Sequence, residues 1–195
     1  MVYLLSALSL LIQVAFGAIA ALFLLRLLAE ANRADFHNPL SQFIYRYTNP
    51  VLAPMRRILP NWRRINLAAL LIVWLAVLLE RVAISGLALI LGLVSSMPTL
   101  SGLLILSFAD LLDFVLLFYL IVIFGWSLLS MLSADPHQPL IRLAGAIVQP
   151  LLRPLRGKLV LGNIDFSPAV VMIVLLLARL LLVAPLLSLG VRLGG

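Results

Sequence analysis

The phrases DFHNPL at residues 35–40 and DPHQPL at 135–140 each set an aspartate two positions before a histidine, and they hold both histidines of the chain. Two such pairs brought together, Asp35 with His37 and Asp135 with His137, would offer four hard or borderline ligands to a metal. The competing reading is that they decorate helix entries, where polar side chains satisfy free N–H groups. The second reading is adopted, so no metal and no cofactor is expected. A second set of polar groups, Gln13, Glu80, Arg81, Asp110, Asp113 and Arg179, stands inside otherwise apolar runs. Such groups could clamp helices together or line a hydrated ion or proton path. Catalysis is not expected: GxxxxGK[ST], HExxH, GxSxG and glycine-rich dinucleotide loops are all missing, and the acid pair Asp110 and Asp113 has no histidine nearby in sequence.

The elements that must position these groups follow from composition. Hydrophobic residues make up 64% of the chain, charged residues 11%, and the mean hydropathy is +1.20. A soluble chain of 195 residues cannot bury so much apolar surface, whereas a bilayer takes repeated apolar spans of about 20 residues. Cysteine is absent, which excludes disulfides and thiolate chemistry. Apolar stretches predict spans over about 2–28, 66–97, 103–132 and 166–189; the first lacks the basic flank of a signal peptide and is read as a retained span. The second stretch is long enough to be tilted or broken. Pro98 and Gly102 mark the turn between spans two and three.

Ten of the fourteen basic residues, including Arg33, Arg46, Arg142 and Lys158, fall between spans one and two or between spans three and four. The positive-inside rule places those segments, 29–65 and 133–165, on the cytoplasmic side and both termini on the other. The expected location is the cell inner membrane, in a multi-pass arrangement.

At an offset of 100 the chain matches itself without a gap: between 35 and 56, eight of 22 positions are identical. NPVLAPMRR at 49–57 thereby meets QPLLRPLRG at 149–157. The chain is a duplication of like-oriented units, 1–97 and 98–195, each a span, a basic proline-containing segment and a span. The expected fold is all-α, with four transmembrane spans in two parallel repeats. Within the segments, Leu40, Phe43, Ile44 and Tyr47, and later Leu140, Leu143, Ala144 and Ile147, form apolar helical stripes. Pro39 and Pro139 suit a first helical turn, while Pro50, Pro54, Pro150 and Pro154 are expected to break the helix and redirect the chain. A short helix on the inner membrane face follows, with Arg56, Arg57, Arg63, Arg64, Arg153 and Arg156 meeting anionic headgroups. GxxxG occurs at Gly190 and Gly194, beyond the expected last span, so Gly17 and Ala21 are the preferred small-residue packing pair.

NPVLAPMRRILP, its second copy QPLLRPLRG, and NIDFSP at 163–168 resemble the two repeats of the YggT family of small integral membrane proteins. The first repeat departs from the pattern at RRINLA, where Asn66 replaces the acid; the second lacks the additional arginine and proline of RRILP. These departures imply that the two units do not bind alike. Bacterial members are associated with osmotic-stress tolerance and plastid relatives with cytochrome b assembly and nucleoid distribution. The resemblance therefore implies a non-enzymatic scaffold or assembly factor, with an oligomeric ion-transport component as the alternative. Expected partners are anionic lipids, other membrane proteins and, for transport, further copies in a homo-oligomer; direct nucleic-acid binding is not expected.

At about 1.5 Å per residue, Glu80, Arg81 and Arg179 lie about 20 Å from the inner face. Asp110, Asp113 and Gln13 lie about 10 to 15 Å from the outer face by the same count. Across a core of about 30 Å the six converge on one layer. Asp110 and Asp113 share a helix face, and pairing with Arg81 and Arg179 in the bundle interior is expected, with Glu80 competing for the arginines.

Overall fold

The computed structural model describes residues 2–59, 61–132, 135, 137–155, 157, 159–161 and 164–194. Helix α1 spans Val2–Ala31, α2 Pro39–Met55, α3 Leu67–Ile90, α4 Leu100–Met131 and α5 Pro139–Leu152. Strands β1 (Val160–Leu161) and β2 (Ile164–Asp165) form a two-residue antiparallel ladder. Helix α6 (Ser167–Ala178), a π-helical turn (Arg179–Val183) and α7 (Ala184–Gly194) complete the chain. Among the described residues four helical stretches are long and apolar enough to cross a membrane: Tyr3–Ala31, Leu67–Ile90, Leu100–Met131 and Ser167–Gly194. The protein is thus an all-α membrane protein in which the order long helix, short amphipathic helix, long helix occurs twice.

Local chemistry sets the ends of these helices. Asn38 accepts from Leu40 N at 2.9 Å, capping α2 ahead of Pro39, and Asn66 caps α3 by accepting from Ala69 N at 3.1 Å. Helix α3 stops at Ile90, short of the expected 97, because Gly92 turns left-handed at φ 68° and Leu93 N returns to the Ala88 carbonyl at 2.9 Å. The prolines do not break the short helices as expected: Pro50 and Pro54 lie inside α2, Pro150 lies inside α5, and only Pro154 falls past a helix end. Pro50 and Pro54, four apart, share the exposed side of α2, so the carbonyls they leave without a donor can be solvated.

The apolar stripe is rotated as well. Helix α2 buries Ser41, Ile44, Thr48 and Leu52, leaving Phe43 and Tyr47 exposed as a ring pair at 4.5 Å. Helix α5 buries Leu143, Gly145, Ile147, Val148 and Leu152, while Leu140 is exposed. The larger core cluster joins α1 and α3, through Ala20, Leu24, Leu27, Ala69, Val73 and Ala76, to Ile44, Leu52, Leu143 and Ile147 of the short helices. A smaller one joins Ile123, Val148, Leu152, Val171 and Leu175. At the opposite end α4 meets α7 so closely that a Cβ on Gly102 would stand 2.5 Å from Gly194 Cα. Gly190 is packed against Leu106, and Thr99 N donates to the Gly194 carbonyl at 3.1 Å. The Gly190/Gly194 pair is therefore a packing contact of the last span, contrary to expectation; a Cβ on Gly17 would meet nothing within 4 Å. The last span runs to Gly194 rather than ending at residue 189, which brings both glycines inside it.

Candidate functional site

Two polar assemblies stand out, one in the apolar layer and one where the long helices meet the short ones. In the layer, Arg81 and Asp110 form a bidentate pair: the guanidinium donates through Nε to Oδ2 and through Nη2 to Oδ1, the latter at 2.6 Å. Arg179 and Asp113 form a second, Nε to Oδ1 at 2.7 Å and Nη2 to Oδ2 at 2.9 Å. Parallel forks of this kind hold both geometry and charge neutrality. The first pair ties α3 to α4 across the two halves, and the second ties α4 to the start of the π-helical turn. Pro185 lacks the N–H that would reach the Leu181 carbonyl, and its ring would clash with that carbonyl, so the widened turn before it relieves the contact.

The pairs are not in the bundle interior, as expected, but at its side, with the four side chains 24–32% exposed. Arg81, Asp110 and Asp113 line a crevice of about 360 Å³ together with Gln13 and Glu80, and Arg179 is not on it. Among the described residues Glu80 forms no salt bridge; one carboxylate per arginine leaves it no bidentate partner.

The second assembly was not among the sequence expectations. Arg26, on the last turns of α1, is 1% exposed and donates to Glu30 at 2.7 Å, four residues on. Its guanidinium lies over the Tyr45 ring, 3.0 Å from Cζ to the centroid. Glu30 also accepts from Arg56 Nη2 and Asn66 Nδ2, each at 2.7 Å. Arg56, expected to face headgroups, is thus turned inward. Burial pushes the Tyr45 phenol up to about 12; Arg26 opposes that shift and Glu30 adds to it. A signal did exist in the sequence: Arg26 and Glu30 stand at helical i, i+4 spacing inside an apolar run.

The Asp-x-His phrases build turns. Asp35 Oδ1 accepts from His37 N, and Asp135 Oδ1 from His137 N, each at 2.9 Å. The His37 backbone N–H holds the Asp35 carboxyl below its ordinary value. Asp35 Oδ2 takes Arg142 Nη2 at 2.7 Å, and Asn38 Nδ2 donates to the Pro139 carbonyl at 2.7 Å. The two short helices are therefore stitched to each other, with Asp35 of the first Asp-x-His phrase taking part. Arg57, Arg63, Arg64 and Arg153 are exposed, with Arg63 at a positive φ of 55° in the turn that Trp62 and Ile65 close. Arg156 and Lys158 lie outside the described residues.

Comparison with known proteins gives the same organisation. The CCB3/YggT family model matches residues 1–87 and again 105–186. An uncharacterized protein of Pseudomonas aeruginosa is 34% identical over 161 residues, covering 82% of this chain and 80% of its own. The uncharacterized protein YggT of Escherichia coli strain K12 is 31% identical over 153 residues, 78% of this chain and 76% of its own. A Vibrio alginolyticus relative is 31% identical over 183 residues, 91% and 94% of the two chains. None of these names describes an enzyme, and no solved structure matches. With two matched regions that coincide with the two structural halves, the chain belongs to the CCB3/YggT family.

Proposed function

We propose that the protein is a non-enzymatic scaffold or assembly factor of the cell inner membrane, and that its working surface is the platform made by α2 and α5. Each of two units, 1–97 and 98–195, contributes one short helix and the segment after it. Both termini lie on the non-cytoplasmic side, and the platform faces the cytoplasm, since the exposed arginines 33, 57, 63, 64 and 153 gather there. The observation that carries the reading is the stitching of the platform: the Arg142–Asp35 and Asn38–Pro139 contacts fix the short helices to each other across the repeat. Exposed Phe36, Phe43, Tyr47 and Val51 give the same surface an apolar component suited to the interfacial zone of a bilayer or to a membrane partner.

The test is crosslinking in native membranes followed by mass spectrometry, with Arg57→Glu, Arg64→Glu and Arg153→Glu combined. Recovery of membrane partners should fall several-fold while folded yield is kept. Unchanged recovery rejects the platform. Arg56 is unsuitable for this purpose, being tied to Glu30.

A transport role is the second reading, and the crevice beside the two intramembrane pairs favours it. Selective ion flux from purified protein in liposomes, lost in Asp113→Asn at normal folded yield, would establish it over the scaffold. A structural clamp predicts instead that Asp113→Asn and Arg179→Gln each lower yield and that the double variant partly restores it. A link to osmotic-stress tolerance follows on either reading and is read from growth of a deletion strain at high osmolarity.

A further inference from the structure

The cluster around Arg26 holds more positive charge than it can satisfy. Glu30 is its one carboxylate, and that carboxylate already takes Arg26 and Arg56 on Oε1 and Asn66 on Oε2. Two guanidiniums against one carboxylate leave an excess of one positive charge. The donors are in excess too: Nε and Nη1 of Arg26 and Nε of Arg56 are buried with no hydrogen-bond partner. The Tyr45 ring covers a face of the Arg26 guanidinium, which leaves the in-plane N–H groups of Nε and Nη1 unspent. Leaving a buried donor without an acceptor is costly, and more so for a charged group. Beside these groups lies a cavity of about 530 Å³ that Arg26, Arg46 and Arg56 line together with Tyr45 and Asn49. Planar guanidinium forks around one space are the donor set that phosphate oxygens fit best.

We propose that this cavity binds a phosphate group, with Arg26, Arg46 and Arg56 as its donors and Asn49 at its edge. The site deepens the platform reading and rests on it only for the side of the membrane it faces. Arg26 lies five residues before the end of α1, about 8 Å along the axis, which is headgroup depth. A phospholipid headgroup and a free phosphate monoester share the required chemistry. The second half supplies an internal control. At the positions one hundred residues on, Trp126 and Ala146 stand in place of Arg26 and Arg46 on a smaller cavity of about 330 Å³ that Arg142, Gly145 and Gln149 also line, while Arg156, the counterpart of Arg56, lies outside the described residues.

Two probes test the site on the full-length protein in detergent. Phosphatidylglycerol retention is read by native mass spectrometry against phosphatidylcholine, and inorganic phosphate by titration calorimetry. Arg46→Ala is the main variant, since Arg46 is exposed and its removal leaves the buried cluster intact. Loss of one charge-assisted contact should weaken binding about tenfold or more. Arg26→Met, checked for helicity, should abolish binding; if it fails to fold, Arg46→Ala carries the test alone. Arg46-dependent binding of phosphatidylglycerol without inorganic phosphate identifies a headgroup site, and Arg46-dependent binding of inorganic phosphate identifies a soluble ligand. Equal binding by wild type and Arg46→Ala overturns the proposal, as does an equal loss in Arg63→Ala, which would mark diffuse surface charge. In that last case the platform reading would survive and the site would not.

Discussion

Where α1 meets α2, the guanidinium of Arg26 lies against the ring of Tyr45 and is held by Glu30. One hundred residues later, where α4 meets α5, the indole of Trp126 lies against Gly145, close enough that a Cβ there would stand 3.2 Å from Trp126 Nε1. The order of long and short helix is the same; the filling is inverted. In the first half a long cation from the span meets an aromatic ring from the short helix, and in the second an aromatic ring from the span meets a bare backbone. Ser130 replaces Glu30 at the acid position. Duplication kept the two-helix corner and let its chemistry diverge, so the halves are one architecture with two different inner ends.

The largest effect expected from breaking this difference is at Glu30. Glu30→Ala leaves the buried Arg26 and the half-buried Arg56 without their carboxylate, and should destabilise the fold by about 3–5 kcal/mol, the range for an uncompensated buried charge, which here is Arg26. Giving the first half the residues of the second, Arg26→Trp with Glu30→Ser and Tyr45→Gly, should recover at least half of that loss, because apolar replacement of a buried ionic set is often neutral. Unfolding by sodium dodecyl sulfate in mixed micelles, followed by circular dichroism, measures both. A Glu30→Ala protein as stable as wild type would mean that the ionic closure contributes nothing to the fold.

A second contrast concerns how the long helices close on one another. The cluster between α1 and α3 is built from Ala20, Ala69, Val73 and Ala76, whereas α4 and α7 meet through Gly102, Gly190 and Gly194. Gly102→Ala puts a methyl group 2.5 Å from Gly194 Cα, a backbone atom that cannot swing aside, and should cost about 1–3 kcal/mol. Gly17→Ala meets open space and should be neutral or stabilising by up to about 1 kcal/mol through helix propensity. The same micellar unfolding curve reads the pair. Equal effects at the two glycines would erase the contrast.

What the sequence disclosed and what it hid divide along physical lines. Span number and the repeat were legible because bilayer thickness sets apolar length and because the 35–56 and 135–156 segments align without a gap. That Asp110 and Asp113 would take Arg81 and Arg179 was legible from depth and from their shared helix face, since charge at membrane depth has few places to go; which acid meets which arginine was not. Their sideways placement was not legible: depth says nothing about rotation around a bundle. Arg26 and Glu30 belong neither to the loop charges that set topology nor to the layer where the other intramembrane charges converge, because they stand at the inner end of the first span. The continuity of α2 through Pro50 and Pro54 depends on which side of the helix is solvated, and the closeness of α4 to α7 depends on where the last span ends. Both are properties of packing.

The smallest expected effect lies at Tyr45, whose second-half counterpart is Gly145 and cannot titrate. Burial disfavours the phenolate and carries the folded-state pKa from 10.0 to about 12, against the pull of Arg26 and with the push of Glu30; Arg56 on the same cluster acts in the direction of Arg26. Below pH 10 the phenol is neutral in both states, and its contribution to stability is fully present. As pH rises above 10 the unfolded chain loses this proton first, so the folded state binds more protons and stability falls until the folded phenol also ionises near 12. Wild type should therefore lose stability between pH 10 and 11.5 more steeply than Tyr45→Phe, while the other tyrosines, present in both proteins, cancel from the difference. The decline should also be steeper in wild type than in a variant carrying Tyr45→Gly with Arg26→Trp, in which the first-half corner is rebuilt on the pattern of the second. Parallel pH profiles in all three proteins would show that the phenol ionises as freely in the folded state as in the unfolded one, and that this corner is open to water in a way its burial contradicts.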